Sequence, residues 1–108
     1  MLEQLTSGDF AAHVHETFRL YPGAVAEEPG QEPGGEPLPL ELIKVAEFGP
    51  EATPKHRRGF SLLFLAPGPG HLEQRIYSLD HDSLGRLALF LVPVGPGQGG
   101  MLYEAIFT

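Results

Sequence analysis

Two short polar motifs carry residue types that could bind a metal ion. His13-Val14-His15 places two imidazoles on one face of the chain if this stretch is extended. A His-x-His pair on a strand is an established metal-ligand geometry, because imidazole nitrogen is a favoured ligand for zinc and related ions. Asp80-His81-Asp82 could supply the rest of such a site. His13, His15 and His81 are therefore the candidate metal ligands.

The surroundings of the first pair weaken this hypothesis. The cupin pattern has His-x-His followed by a glutamate three or four residues beyond the second histidine, and here those positions hold Arg19 and Leu20. We therefore expect His13 to lie at the C-terminus of a helix, where its imidazole interacts with the negative end of the helix dipole. We expect His15 to be exposed. The sequence predicts neither a bound metal nor any other cofactor.

Asp80-His81-Asp82 also suggests a carboxylate that orients an imidazole as a general base. No serine or threonine lies in a recognisable nucleophile motif, and adjacent residues on a strand point to opposite faces. We therefore expect His81 to end a strand and Asp82 to begin a turn, and we predict no catalytic residues.

Short apolar runs separated by glycine and proline must position these side chains. The pattern predicts a short helix around residues 7–12, with Thr6 as N-cap and Asp9 in its first turn. Period-2 alternation and turn residues predict six strands, over residues 15–21, 40–48, 60–66, 74–81, 86–94 and 101–107.

Strands of this length and spacing predict an all-β fold with one short N-terminal helix. The chain then forms a small six-stranded antiparallel barrel or a two-sheet sandwich, and its last three strands form a meander. A change of apolar phase predicts either a bulge near Leu42–Ile43 or a strand buried on both faces, and Pro93 should lie at a bulge or an edge. The helix should cover an open end or edge. The predicted inward side chains are Phe18, Leu20, Leu42, Val45, Phe60, Leu62, Phe64, Tyr77, Leu79, Leu87, Leu89, Leu91, Tyr103 and Phe107.

The length of 108 residues indicates a single domain spanning residues 1–108. Residues 22–39 are rich in proline and glycine, with glutamate as their only charged residue. Such a composition cannot bury enough apolar surface to order itself, which predicts an exposed, disorder-prone loop.

Composition excludes or disfavours several classes of protein. The chain has no cysteine, which excludes disulfides, thiolate nucleophiles and zinc–thiolate sites. Its formal net charge of −7 disfavours nucleic-acid and anionic-membrane binding. Neither a signal peptide nor an apolar run long enough for a membrane helix is evident, so we expect a cytoplasmic protein with no membrane or nucleic-acid partner.

Two sets of residues remain candidates for contacts. The only basic cluster, Lys55, His56, Arg57 and Arg58, could complement the acidic loop of the same or a neighbouring molecule. The last strand, with Tyr103 and Glu104, could be an edge that pairs with another subunit. A candidate ligand pocket inside a barrel would use Arg75, Tyr77, His81 and Tyr103 as its polar groups.

Several segments together resemble a family of small bacterial proteins that carries a domain-of-unknown-function label. These segments are Leu2 to Phe10, Glu16-Thr17-Phe18, Gln74 to His81 and Leu89 to Pro96. The resemblance implies a small, stand-alone, all-β protein, and it implies an association with phage-tail-like structural proteins. It carries over no catalytic residues.

The sequence therefore favours a non-enzymatic structural or protein-interaction module, and the resemblance implies that it is an accessory of a phage-tail-like assembly. Its partner would be another protein or a second copy. The alternative is a β-barrel that binds a small molecule, and a metal-dependent enzyme is the remaining hypothesis.

Overall fold

The computed structural model describes residues 5–22, 37–51, 53, 58–68, 72–97 and 99–108. One short helix precedes six antiparallel strands, as the sequence predicts. The elements are α1 (Ser7–Ala11), β1 (Thr17–Tyr21), β2 (Leu38–Phe48), β3 (Gly59–Pro67), β4 (Arg75–His81), β5 (Gly85–Gly97) and β6 (Gly100–Phe107).

The strands close into a barrel in the order β1-β2-β3-β6-β5-β4, which resolves the choice between barrel and sandwich. Closure depends on β1, which pairs with β2 on one side and with β4 on the other, where Arg19 lies opposite Asp80. The last three strands form the predicted meander. The expectation of a free edge at the last strand is wrong for Gly100–Glu104, which lie between β3 and β5, whereas residues 105–107 pair with β3 alone among the described strands.

Both predicted bulges are present. The β2–β3 register shifts between Leu42 and Lys44, so Ile43 is the extra residue. The β5–β6 register shifts between Pro93 and Gly95, which places the proline where the regular ladder is interrupted. β5 changes partner near this point, since it pairs with β4 up to Leu91 and with β6 from Val92 onward.

Apolar side chains on alternate positions fill the barrel. All the predicted inward residues are buried except Val45, which is half-buried and packs against the core. The structure adds Phe10, Leu40 and Ala105 to this buried set. The period-2 pattern therefore identified the inner face of every strand.

The helix covers one end of the barrel, which we call the helix end. Thr6 is its N-cap, and the Thr6 backbone N–H donates to Asp9 Oδ2 at 2.8 Å. The fully buried Phe10 reaches the rings of Phe60 and Phe107, with centroid distances of 5.8 and 5.5 Å. This aromatic cluster closes the mouth between the start of β3 and the end of β6.

The opposite end, the loop end, is closed by the segment that leads into β4. Leu72 packs against the core, and its backbone N–H donates to Tyr103 Oη at 2.8 Å. Tyr77 Oη donates to the carbonyl of Glu73 at 2.6 Å. Two buried tyrosines thus use their hydroxyl groups to hold this segment across the mouth.

The predicted loop at 22–39 is shorter at its second boundary, because β2 already begins at Leu38. Residues 23–36, which carry most of that prediction, lie outside the described residues. In the described part of the chain, no helix has the length and apolar character needed to cross a membrane.

Candidate functional site

In the described part of the chain, a cluster of histidine and glutamate side chains lies at the helix end. His13 follows α1, Glu16 precedes β1, and His81 is the last residue of β4. Glu16 Oε1 lies 2.9 Å from His13 Nδ1 and 2.8 Å from His81 Nε2. One carboxylate oxygen therefore bridges two imidazoles whose ring centroids are 4.5 Å apart.

His81 is the buried member of this cluster, only 4% exposed. Its ring stacks on Phe18 at a centroid distance of 4.4 Å. His81 Nδ1 accepts hydrogen bonds from the backbone N–H groups of Ser83 and Leu84, both at 3.1 Å. A nitrogen that accepts two N–H bonds carries no hydrogen, so the ring hydrogen is on Nε2 and is donated to Glu16.

This hydrogen-bond pattern does not fit a metal ligand. The ligating atoms of His13, Glu16 and His81 lie within 4.8 Å of one another, which is close enough for a shared ion. A ligating histidine normally donates its second ring N–H, whereas the second nitrogen of His81 accepts two N–H bonds. To ligate through Nε2, His81 would have to move its hydrogen to Nδ1, against both donors.

The same contacts alter the electrostatics of Glu16. Its side chain is half exposed, and its hydrogen bonds to His81 and then to His13 lower the pKa of the carboxyl below its ordinary value of 4.5. The carboxylate is thus favoured as the acceptor that joins the two rings. The cluster ties the β4–β5 turn to the segment between α1 and β1.

Asp80 and Asp82 do not orient His81, because they lie on the outer surface. Arg19 Nη2 lies 3.0 Å from Asp82 Oδ1 and 3.9 Å from Asp80 Oδ2. Arg86 Nε lies 3.9 Å from Asp80 Oδ1. The two aspartates therefore belong to an ion-pair row across β1, β4 and β5, and Glu16 takes the place beside the imidazole.

His15 points away from the cluster. Its side chain is 71% exposed, and its Nδ1 lies 2.9 Å from Glu41 Oε2. Its backbone adopts the left-handed conformation, with φ of 74°, which turns the chain from α1 into β1. The His13-x-His15 pair is therefore not extended, and the structure separates its two imidazoles between different acidic partners.

The four residues of the candidate pocket do not surround one cavity. Tyr77 and Tyr103 bond the backbone at the loop end, whereas His81 lies at the helix end. Along β4, Tyr77 and His81 are four residues apart, which is about 13 Å. Arg75 lies over the Tyr77 ring, 4.8 Å from its centroid, and donates to the Pro22 carbonyl at 3.2 Å.

The structure also corrects one member of the expected contact surface. Tyr103 is 1% exposed and faces the core, since it has the inward parity of β6. Glu104 has the outward parity, is half-buried and lies between Leu63 and Val92 of the neighbouring strands.

The basic cluster is described only at its last residue. Lys55, His56 and Arg57 lie outside the described residues, so their assignment to a contact surface stays a prediction. Arg58 Nη1 lies 3.8 Å from Glu47 Oε1 across the β2–β3 pair, and its Nε is buried with no hydrogen-bond partner among the described residues.

A cleft of about 390 Å³ lies outside the barrel at the helix end. Phe48, Pro50, Gly59 and Thr108 are among its lining residues, and most of its surface is apolar. It is separate from the candidate pocket predicted from the sequence, and it shares no residue with the histidine cluster.

Sequence reasoning missed Glu16 as the centre of the polar cluster and missed the burial of His81. The alternation of inward and outward positions along the two strands could have identified both residues. Glu16 shares the inward parity of Phe18, and His81 shares that of Tyr77 and Leu79. A polar residue that continues an inward series at a strand end is a candidate for a buried hydrogen bond.

Comparison with known proteins identifies the chain by family alone. The family model described as "Domain of unknown function (DUF6916)" matches residues 5–107, and the chain belongs to this family. Neither the curated proteins nor the solved structures include a significant match.

Proposed function

We propose that this chain is a non-enzymatic protein-interaction module that contacts another protein chain through the outer face of its barrel. One observation carries the proposal. The histidine–glutamate cluster and the two buried tyrosines hold the ends of the barrel together, while large apolar side chains remain exposed on its outer face. The exposed set comprises Leu38, Phe48, Ile76, Phe90, Val94 and Ile106.

Part of this apolar surface is continuous. Ile76 and Phe90 lie directly opposite each other on β4 and β5, and both point outward. Val94 follows on β5 and is 49% exposed, like Phe90. Single exposed apolar residues are ordinary, but a cross-strand pair extended along one strand is typical of a contact surface. Complete burial of a side chain of this kind contributes roughly 1.5–3 kcal/mol.

The polar groups support a structural role. The lone pair of His81 that a general base would need faces two backbone donors. The hydroxyl groups of Tyr77 and Tyr103 are both engaged with the backbone. The family resemblance in the sequence implies an association with phage-tail-like structural proteins, and we propose such an assembly as the setting in which the partner acts.

Site-directed photo-crosslinking in native cells tests the proposal. A benzophenone amino acid at position 76 or 106 should give one discrete protein adduct, because both side chains point outward from the barrel. The same group at Lys44, an exposed position on β2, is the matched control and should give none. The absence of adducts from positions 76 and 106, or equal background from all three positions, would refute the proposal.

The cleft beside Phe48 favours a second candidate function, the binding of a small apolar ligand. Its volume and apolar lining suit a compact hydrophobic molecule. Titration with an environment-sensitive naphthalene dye should show saturable binding that Phe48→Ser weakens and Phe90→Ser leaves unchanged. Equal weakening by both substitutions would place the dye elsewhere.

A further inference from the structure

Among the strands that the structure describes, β5 has a long edge with no partner strand. Residues Gly85–Leu91 of β5 pair with β4 along one edge, but the ladder between β5 and β6 stops at the Val92–Glu104 pair. Within the described ranges, no strand pairs with the second edge of Gly85–Leu91. Among the described residues, α1 makes its main packing contacts with β2 and β3, and its Phe10 ring reaches Phe107 of β6.

An unpaired strand edge is a template for another strand, because its backbone N–H and C=O groups lack ladder partners. Proteins usually protect such edges with charges, prolines or bulges. Here Arg86 is the only charged residue in the segment, and the Pro93 bulge lies beyond it. The most exposed apolar side chain of the segment is Phe90.

The outward side chains of this segment are complementary to those of a second, antiparallel copy of the same segment. Arg86, Ala88 and Phe90 follow at alternate positions, so they share the outer face of β5. In an antiparallel pairing of two such segments about Ala88, Arg86 of each copy lies opposite Phe90 of the other. Each guanidinium can then cover an exposed ring, and the small Ala88 side chains meet at the two-fold axis.

Charge does not oppose this pairing at the edge itself. The chain carries a net charge of −7, but the segment contributes only the cation of Arg86. The two Arg86 residues would be four positions apart along the paired strands, about 13 Å, so they would not face each other. Arg86 is 46% exposed, and its Nε lies 3.9 Å from Asp80 Oδ1, which leaves the guanidinium accessible.

We propose that two copies of this chain associate by antiparallel pairing of the β5 edge at Gly85–Leu91, centred on Ala88. This inference rests on the proposed function, and it identifies the partner as a second copy of the chain. The pairing would continue one sheet through both barrels and would place Ile76 of each copy beside the new interface.

Light scattering of the full chain over a range of concentrations tests the pairing. The wild-type chain should approach twice its mass of 11.7 kDa as concentration rises. Phe90→Lys should weaken the dimer at least about tenfold, because it places a cation opposite Arg86 of the second copy at two symmetric positions. The double substitution Arg86→Glu with Phe90→Lys should restore dimerisation, because opposite charges then face each other.

Val94→Lys is the matched control, because Val94 is as exposed as Phe90 but lies beyond the unpaired segment. It should leave the dimer intact, and circular dichroism should show that every variant is folded. A dimer that resists Phe90→Lys, or one that the double substitution fails to restore, overturns the β5 pairing and leaves the interaction module standing. If the wild-type chain is a monomer at every concentration, the partner is not a second copy of the chain. The crosslinking experiment at positions 76 and 106 tests the proposed function separately.

Discussion

Replacement of His81 by phenylalanine separates its hydrogen bonds from its packing. The aromatic ring can still stack on Phe18, as the imidazole does at a centroid distance of 4.4 Å. Both ring nitrogens are lost. The backbone N–H groups of Ser83 and Leu84 then lose their acceptor, and Glu16 loses the donor nearest to it.

The expected loss of stability follows from the two backbone donors. A partly buried donor that loses its partner costs about 1–3 kcal/mol, and the lower value suits a turn that water can reach from one side. Two such donors lower the free energy of unfolding by about 2 kcal/mol. For a domain of this size, that corresponds to a fall in Tm of roughly 10 °C.

Urea denaturation followed by far-UV circular dichroism measures this difference. The control is His15→Asn, which removes another imidazole–carboxylate contact of 2.9 Å but at a side chain that is 71% exposed. Asparagine tolerates the left-handed backbone at this position, so the control should change stability by less than about 0.5 kcal/mol. If both variants lose the same stability, or if His81→Phe loses less than about 0.5 kcal/mol, the buried hydrogen bonds do not hold the turn as we infer.

Three further perturbations test the structure. The pKa of Glu16 is lowered in the folded state, so its contribution to stability is complete above pH 4.5 and is lost as pH falls through the lowered value. Glu16→Gln should therefore reduce the fall in the urea midpoint of unfolding as pH is lowered below 4.5. An equally steep fall in the variant would contradict this assignment. Zinc should not raise Tm, because both nitrogens of His81 are engaged, and a rise of several degrees that requires His81 would contradict the assigned hydrogen positions. Phe10→Ala should cost about 3–5 kcal/mol in the same urea assay, whereas Ile106→Ala, at a position 60% exposed, should cost less than about 0.5 kcal/mol; similar losses would contradict the role of the helix as the cover of the barrel.

Local patterns predicted the strands and their inner faces because each depends on neighbouring residues alone. Phe18 and Leu20 alternate with Thr17, Arg19 and Tyr21, and this period identifies the inner face without knowledge of a partner strand. The bulges at Ile43 and Pro93 were also visible, as a change of phase and as a missing backbone donor. Each of these features depends on residues that are consecutive in the sequence.

The polar cluster and the closure of the barrel depend on residues that are distant in the sequence. Glu16 and His81 meet only because β1 pairs with β4, and no local pattern records that pairing. The same closure places Gly100–Glu104 of β6 between two neighbours, which removed that part of the edge expected from its position at the end of the chain. Strand order is set by tertiary packing, so it could not be read from periodicity.

The pairing of β1 with β4 also has a kinetic consequence. Arg19 and Asp80 are roughly 60 positions apart, so the chain must close a long loop before this ladder can form. The hairpins of β2 with β3 and of β4 with β5 need much shorter loops and can form earlier. We expect the β1–β4 ladder to form late and the chain to fold in milliseconds to seconds, as barrels dominated by distant contacts do. Substitutions in the β1–β4 ladder should then accelerate unfolding more than they slow folding.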